Sequence, residues 1–427
     1  MPWVFRADWA VNAWQKIPNP LQNLPSSGER LAKVGREATV LCGQCGWIIA
    51  AAKREIFRME SLLLREFHEA LGGRFTELRG MEIVADYGDM PAEYAAVSQK
   101  AGVFDLSFRS RVCLTGADRV RYLHGQVTND VKSLRRGEGS YAALVTAKGR
   151  MQSDLNIYAL ADELLLDFEP GMTKRVTERL GQFIVADDVQ VIDVAPHYGL
   201  LSIQGPEAAT VVNHLALFEG LPSKPLGFLS IEDRTLGELY LVAQPRLGGA
   251  GFDLFVPVAA LGAVGDRAVA AARLVGGRAC GWRALETCRI ESGIPRFGLD
   301  MDENNLPQEC GIEARAVSYS KGCYIGQEVL NRIHTMGHVN RQLCGLSLGD
   351  DLEPLPKKGD KLFQGEREVG VITSTVTSPR LKRNIALGYA RREVCQTGTE
   401  LTLRGESGPI VARVVGLPFS LKSAADG

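Results

Sequence analysis

Apolar residues recur along this chain with two periods, and the change between them marks its organisation. From residue 61 to about 340, stretches of helical spacing alternate with stretches of period two; beyond 340 only the short period remains. Leu62, Leu63, Phe67 and Ala70 predict an amphipathic helix over 61–70, stopped by Gly72-Gly73. Further helices are predicted from Pro91 to Val97, after Gly116-Ala117-Asp118 with Val120, Tyr122 and Leu123 inward, over 171–183 on Met172, Val176 and Leu180, from Pro206, and over 282–292. Strands fall at 103–107, 111–115, 163–168, 189–194 and 200–204. Residues 141–146 and 151–158 flank the turn Ala147-Lys148-Gly149-Arg150 and predict a hairpin. On its second strand Leu155 and Ile157 face one side, while Gln152, Asp154 and Asn156 face the other. Residues 329–341 read as extended. Short strands at 343–348, 361–363, 369–377, 385–390, 400–403 and 410–415, with turns at Gly359-Asp360, Gly365-Glu366 and Gly398, predict a small β-barrel. The pattern as a whole is α+β.

Composition narrows the function. A chain of 427 residues with 45% hydrophobic content accommodates two or three domains. With 49 basic against 50 acidic residues it has no basic surplus to draw it to nucleic acid or an anionic membrane, so a small-molecule ligand is the expectation. The longest apolar run, residues 40–52, is too short to span a bilayer. Nine irregularly spaced cysteines do not form a disulfide framework, which points to the cytoplasm. Residues 1–58, with Trp3, Trp9 and Trp14 in a Pro/Asn-rich stretch and a break at Pro25-Ser26-Ser27-Gly28, read as an extension or a misassigned start ahead of Met59. The expected division is an extension over 1–58, a ligand-binding region of two α+β lobes over 59–340, and a barrel over 341–422. No metal is expected: Cys42 and Cys45 make half a zinc site, and His334 and His338 with Cys323 lack a fourth ligand.

The chemistry concentrates at Lys321-Gly322-Cys323-Tyr324-Ile325-Gly326-Gln327-Glu328. A cysteine beside a lysine and between glycines suits either a reactive thiol, its charge state favoured by the ammonium, or a structural thiol in a turn. The octapeptide resembles the K-G-C-[FY]-x-G-Q-E signature of the YgfZ-type folate-binding proteins, relatives of the glycine-cleavage T-protein (aminomethyltransferase) that serve iron–sulfur enzymes. The T-protein has a similar stretch without the cysteine, so Cys323 separates the two branches. The resemblance runs from about Ser61 to Leu417, and it implies a functional thiol at Cys323.

The same resemblance assigns roles elsewhere. Phe104-Asp105-Leu106-Ser107 is similar to the family's F-D-x-S. The T-protein motif G-G-x-x-D-D-L falls on residues 149–155, so Asp154 matches the carboxylate that faces folate and the aminomethyl group, while the other carboxylate has become Ser153. A carboxylate there hydrogen-bonds a ring nitrogen or stabilises a developing cation. Beside this reading stands a plain one, a half-solvated strand. Two T-protein residues are not carried over: its Asn after the next strand is replaced by Glu169-Pro170, and its pterin-holding Glu by Gly249-Ala250. Arg289-Ile290-Glu291-Ser292-Gly293 is similar to R-[IL]-E-x-G, which places Arg289 and Glu291 at the folate. Without the resemblance, Arg289 pairs with Glu286 or Glu291 on a helix face.

The expected architecture is therefore three-lobed and T-protein-like, two mixed α/β lobes with antiparallel sheets around a folate cleft plus a C-terminal barrel. The leading expectation is a tetrahydrofolate-binding accessory protein in iron–sulfur cluster assembly or repair, acting indirectly on tRNA-modifying enzymes, with Cys323 and Asp154 as catalytic groups and Asp154, Asn156, Arg289 and Glu291 at the folate. Its partners would be the folate and iron–sulfur proteins or assembly factors, with no direct nucleic acid and no membrane. One alternative is a tetrahydrofolate-dependent aminomethyltransferase, and another a non-catalytic pterin-binding protein.

Overall fold

The elements follow from where apolar side chains find partners. A computed structural model describes residues 61–349, 352–405 and 408–420. The whole of the expected extension over 1–58, with the C-x-x-C at Cys42 and Cys45 and the apolar run over 40–52, lies outside the described residues.

The chain begins with α1 (Arg65–Ala70), a hairpin of β1 (Arg74–Leu78) and β2 (Met81–Asp86), and α2 (Met90–Gln99). Asp89 caps α2 by accepting from Ala92 N at 3.1 Å, with Pro91 in the first turn, where its missing donor costs nothing. Then come β3 (Gly102–Asp105), β4 (Ser110–Thr115), α3 (Arg119–Gln126), β5 (Gly139–Val145), β6 (Met151–Ala159), β7 (Leu164–Phe168), α4 (Thr173–Gly181) and β8 (Gln190–Asp193). After these follow β9 (Tyr198–Gln204), α5 (Ala208–Leu215), β10 (Phe228–Asp233), β11 (Gly237–Ala243), β12 (Gly251–Pro257), α6 (Val258–Leu274), β13 (Arg278–Ala279), α7 (Trp282–Glu291), α8 (Glu313–Ala316) and α9 (Gln327–Met336).

Two sheets make the first two lobes. One is antiparallel, in the order β5-β6-β7-β4-β8; the other runs β10-β11-β12-β9-β3-β13, antiparallel except where β13 joins β3. They share an aromatic seam in which Tyr158 of the first sheet meets the rings of Phe228 and Phe255 of the second, edge to face. The third lobe is a closed barrel of β14 (Arg341–Ser347), β17 (Arg383–Arg391), β16 (Arg367–Ser378), β15 (Lys361–Gln364), β18 (Glu400–Gly405) and β19 (Gly408–Val415), which leaves no open sheet edge. The three-lobed expectation holds, barrel included.

Two differences from the sequence expectation have physical causes. Residues 327–336 are the helix α9 and not extended: Leu330 turns inward with Ile333 packed beside it, so the buried stripe is narrow and β-branched neighbours mask it. The α6 helix was not foreseen; its inner face is Ala260, Val264, Ala268 and Ala272, small side chains that give little contrast with the outer face. The hairpin of β1 and β2 was also missed. No described helix is long and apolar enough to cross a membrane.

Candidate functional site

The hairpin of β5 and β6 forms as expected and sets the site. Leu155 and Ile157 are fully buried beneath the sheet, and Asp154 and Asn156 lie on the opposite face. That face floors a cleft of about 660 Å³ between the two sheets and α7. Leu106, Leu226, Pro245, Trp282, Leu285 and Ile294 make its apolar walls; Asp154, Asn156, Glu169 and five arginines supply the charge and polarity. Its size and mixed lining are those of a small-molecule site.

Asp154 is poorly satisfied. Its Oδ2 accepts from the Tyr141 hydroxyl at 2.9 Å, but its Oδ1 is buried without a partner. Burial, followed by the negative charge of Glu169, pushes its carboxyl up to about 6, against the opposing hydrogen bond from Tyr141. The Arg315 guanidinium lies 4.9 Å over the Tyr141 ring at the same end of the cleft.

The other charges of the cleft are locked in an alternating chain. Arg246 pairs with Asp253 at 2.5 Å and with Asp167 at 3.2 Å; Asp167 accepts from Arg109 at 2.8 Å; Arg109 reaches Glu169 at 2.9 Å; and Glu169 accepts from Arg296 at 2.8 Å. Arg296 continues to Glu286 at 2.9 Å and covers the Trp282 ring at 4.4 Å. Asn156 donates to Asp167 at 3.0 Å, so its amide is part of the same lattice. Burial opposes ionisation of Glu169, yet Arg296 and Arg109 hold its carboxyl down to about 2. Two carboxylates facing one cleft are thus driven in opposite directions by their neighbours.

The lattice also explains Arg289. Its five N–H groups all have protein partners: Nε donates to Glu286, Nη1 to Asp300 at 2.5 Å and to the Ile294 carbonyl, and Nη2 to Glu286 and the Ser374 hydroxyl of the barrel. Arg289 borders the cleft but keeps no donor for a ligand; it ties α7 to β16. Glu291 faces away from the cleft, accepting from Tyr94 at 2.9 Å and from Ser378. Of the residues expected at the folate, the structure brings Asp154 and Asn156 together, with Arg289 as wall and Glu291 elsewhere. Gly249 and Ala250 are exposed in the loop before β12.

Cys323 is exposed and does not line the cleft. Its flanks are tightly held. Lys321 buries its ammonium at the C-terminal end of α3, donating to the carbonyls of His124, Val127 and Asn129 at 2.5–3.0 Å, and burial lowers its value to about 8. Ile325 N donates to Gly125 O at 3.1 Å, Gln327 Nε2 to Lys321 O at 3.4 Å, and Tyr324 packs with Leu306 and Leu330. Gly326, at φ +87°, begins α9 where a Cβ would stand 2.6 Å from the Thr146 carbonyl. Gly322 is exposed, and Glu328 lies in the first turn of α9. His334 pairs with Glu313 and stacks on Tyr319, and His338 lines a separate groove.

The residues that sequence reasoning passed over are Arg109, Tyr141, Asp167, Arg246 and Arg296. One signal was available: Asp167 interrupts the apolar run Leu164-Leu165-Leu166, and a carboxylate in a buried strand demands a cationic partner.

Residues 64–321 match the model of the GCVT N-terminal domain, and residues 341–420 that of the glycine cleavage T-protein C-terminal barrel domain. The aminomethyltransferase of Rubrobacter xylanophilus is 30% identical over 365 residues, covering 85% of this chain and 95% of its own. That of Bacillus pumilus is 28% identical over 353 residues, covering 82% and 96%. The glycine cleavage system aminomethyltransferase T of Bartonella henselae shares the fold, with a TM-score of 0.75 at 22% identity over 85% of this chain and 98% of that one.

Proposed function

The chain belongs to the glycine-cleavage T-protein family, and on that premise we propose that it is a tetrahydrofolate-dependent aminomethyltransferase whose reaction is carried by Asp154. The likeness to aminomethyltransferases over more than four-fifths of the chain favours this reading over the accessory role with which residues 321–328 led the sequence analysis. The observation that carries it is the Asp154 Oδ1 atom, buried and unpartnered in an apolar-walled cleft.

A reduced folate supplies the ring nitrogens between which a one-carbon unit is held. The cleft suits it in having the volume of a small-molecule site and in leaving one acceptor without a donor. In this reading Asp154 accepts a hydrogen bond from the ligand through Oδ1, stabilises positive charge developing at the aminomethyl carbon, and with its carboxyl near 6 exchanges a proton close to neutrality. Tyr141 fixes the carboxylate by its hydrogen bond to Oδ2. The charge lattice around Asp167 and Glu169 holds the walls rigid, and Trp282 and Leu285 add apolar lining.

The test is turnover with an aminomethyl donor and tetrahydrofolate, with calorimetric titration of the folate, on wild type and Asp154→Asn. The expected result is a loss of about 10²–10⁴-fold in turnover, with folate still bound. Wild-type turnover in the variant would sink the proposal.

A second reading rests on a different observation, the exposed Cys323 on a tightly anchored loop outside the cleft. In it, the thiol meets a protein partner in iron–sulfur cluster assembly or repair, with effects on tRNA-modifying enzymes following indirectly. Complementation of cells lacking the protein tests it: Cys323→Ala should fail to restore iron–sulfur enzyme activity while binding folate normally, and full restoration would end this reading.

A further inference from the structure

A second pair of thiols lies far from both sites, in the barrel. Cys344 is on β14, where its rung partner is Gly388 of β17, and Gln342 two residues earlier is paired with Ala390. Residues two apart on a strand share a face, so these rungs present neighbouring positions on one side of the sheet. Cys395 follows the 3-10 turn Arg392–Val394, which folds the chain back over that side. Its Sγ lies 3.2 Å from the Ala390 carbonyl and 3.9 Å from that of Gln342, while Cys344 Sγ lies 3.5 Å from the Gly388 carbonyl. The two sulfurs thus lie over adjacent rungs, Cys344 within one apolar cluster and Cys395 packed against it. Both are free thiols; Cys344 is buried and Cys395 half-buried.

The chain on either side of Cys395 borders a groove of about 810 Å³ to which Glu393 and Gln396 contribute. Arg150, Arg341, Arg391 and Arg392 line it. Arg150 and Arg341 lie near Glu309, whereas Arg391 and Arg392 form no salt bridge among the described residues. With four arginines against Glu309 and Glu393, the groove favours small anions beside the turn that carries Cys395.

We propose that Cys395 and Cys344 form a redox-exchanging pair that is oxidised to an intramolecular disulfide by a small anionic disulfide arriving through this groove. The Cys395 thiolate attacks one sulfur of the incoming disulfide, forming a mixed disulfide and releasing one small thiolate. Cys344 gives up its proton and attacks Cys395 Sγ, forming the Cys344–Cys395 bond and releasing the second small thiol. Two protein thiols are oxidised and one small disulfide is reduced to two thiols. The order of attack follows the surroundings: the hydrogen bond from Cys344 lowers Cys395, and the same pairing together with burial raises Cys344.

The experiment uses the full chain carrying Cys323→Ser, so that the exposed thiol does not report. The protein is incubated with oxidised glutathione, or with cystamine as its cationic counterpart; thiols are trapped by alkylation, and peptides are mapped without reduction. The expected result is a peptide joining Cys344 to Cys395 that forms at least several-fold faster with oxidised glutathione, an advantage that salt erases. The additional Cys395→Ser variant should leave Cys344 alkylated. Persistent Cys395–glutathione adduct with Cys344 still reduced, or no reaction at either thiol, would overturn the pairing. Equal rates with the two oxidants would overturn the role of the groove.

Discussion

The cleft and the segment 321–328 are built on opposite plans. In the cleft Arg109, Arg246, Arg289 and Arg296 are all paired with carboxylates, and one carboxylate, Asp154, is left with a buried oxygen that nothing satisfies. In residues 321–328 the polar groups are used inward, with Lys321 closing three carbonyls of the α3 terminus, and the thiol is sent outward to solvent. The first arrangement keeps an unsatisfied acceptor facing a cleft of ligand size. The second presents a side chain on which the fold does not depend. Site and stability are coupled in the cleft and separated in the loop, and mutation should tell them apart.

The largest effect is expected where the cleft lattice is cut. Arg109→Met leaves Asp167 and Glu169 buried with a cation removed from each. Breaking a buried pair from one side costs about 3–5 kcal/mol, read as a fall in urea midpoint at constant slope. A loss under 1 kcal/mol would mean the lattice is redundant and the contrast with the loop is wrong.

Acid titration gives the next effect, because the two cleft carboxylates pull in opposite directions. Glu169 is lower folded than unfolded, so it contributes stability above its unfolded value near 4.5 that is lost as pH falls towards 2, on the order of 3 kcal/mol. Asp154 is higher folded than unfolded, so its contribution is complete below about 4 and lost as pH rises through about 6. Arg109→Met should flatten the Glu169 limb, and Asp154→Asn should abolish the Asp154 limb, raising relative stability above pH 6. Thermal unfolding across pH 3–8 checks both.

How much of this was legible depended on the range of the contacts. The β5–β6 hairpin and the barrel could be read because their signals are local, alternation plus turn residues, and Asp154 came with the hairpin. The lattice could not: Arg109 meets Asp167 across 58 residues, and Arg296 meets Glu169 across 127. Arg289 shows the same limit in reverse. Its helix neighbour Glu286 was a candidate partner from spacing, but Asp300 and Ser374, which complete its five bonds, come from a loop and from the barrel. The α6 helix escaped notice because alanine and glycine carry too little contrast for periodicity to register.

In the loop, the anchor should respond and the thiol should not. Gly326→Ala forces a side chain onto a backbone at φ +87° and against the Thr146 carbonyl, a combination worth about 1–3 kcal/mol. The same substitution at Gly311, also at positive φ but with open space around it, separates conformation from clash. If both alanines cost the same, the packing of α9 against the 147–150 turn contributes nothing.

Cys323→Ser is expected to be the smallest change of all. The thiol is exposed, and the bonds that hold the loop are made by Lys321, Ile325 and Gln327. Surface substitutions of this kind stay within about 0.5 kcal/mol. Folate affinity should also stay within about twofold, since Cys323 is not among the residues of the cleft. An unfolding midpoint or folate titration that moved further would join the two regions. If neither moves while complementation by the variant fails, the thiol acts on something outside this chain, and the separation of the two regions is one of function as well as of construction.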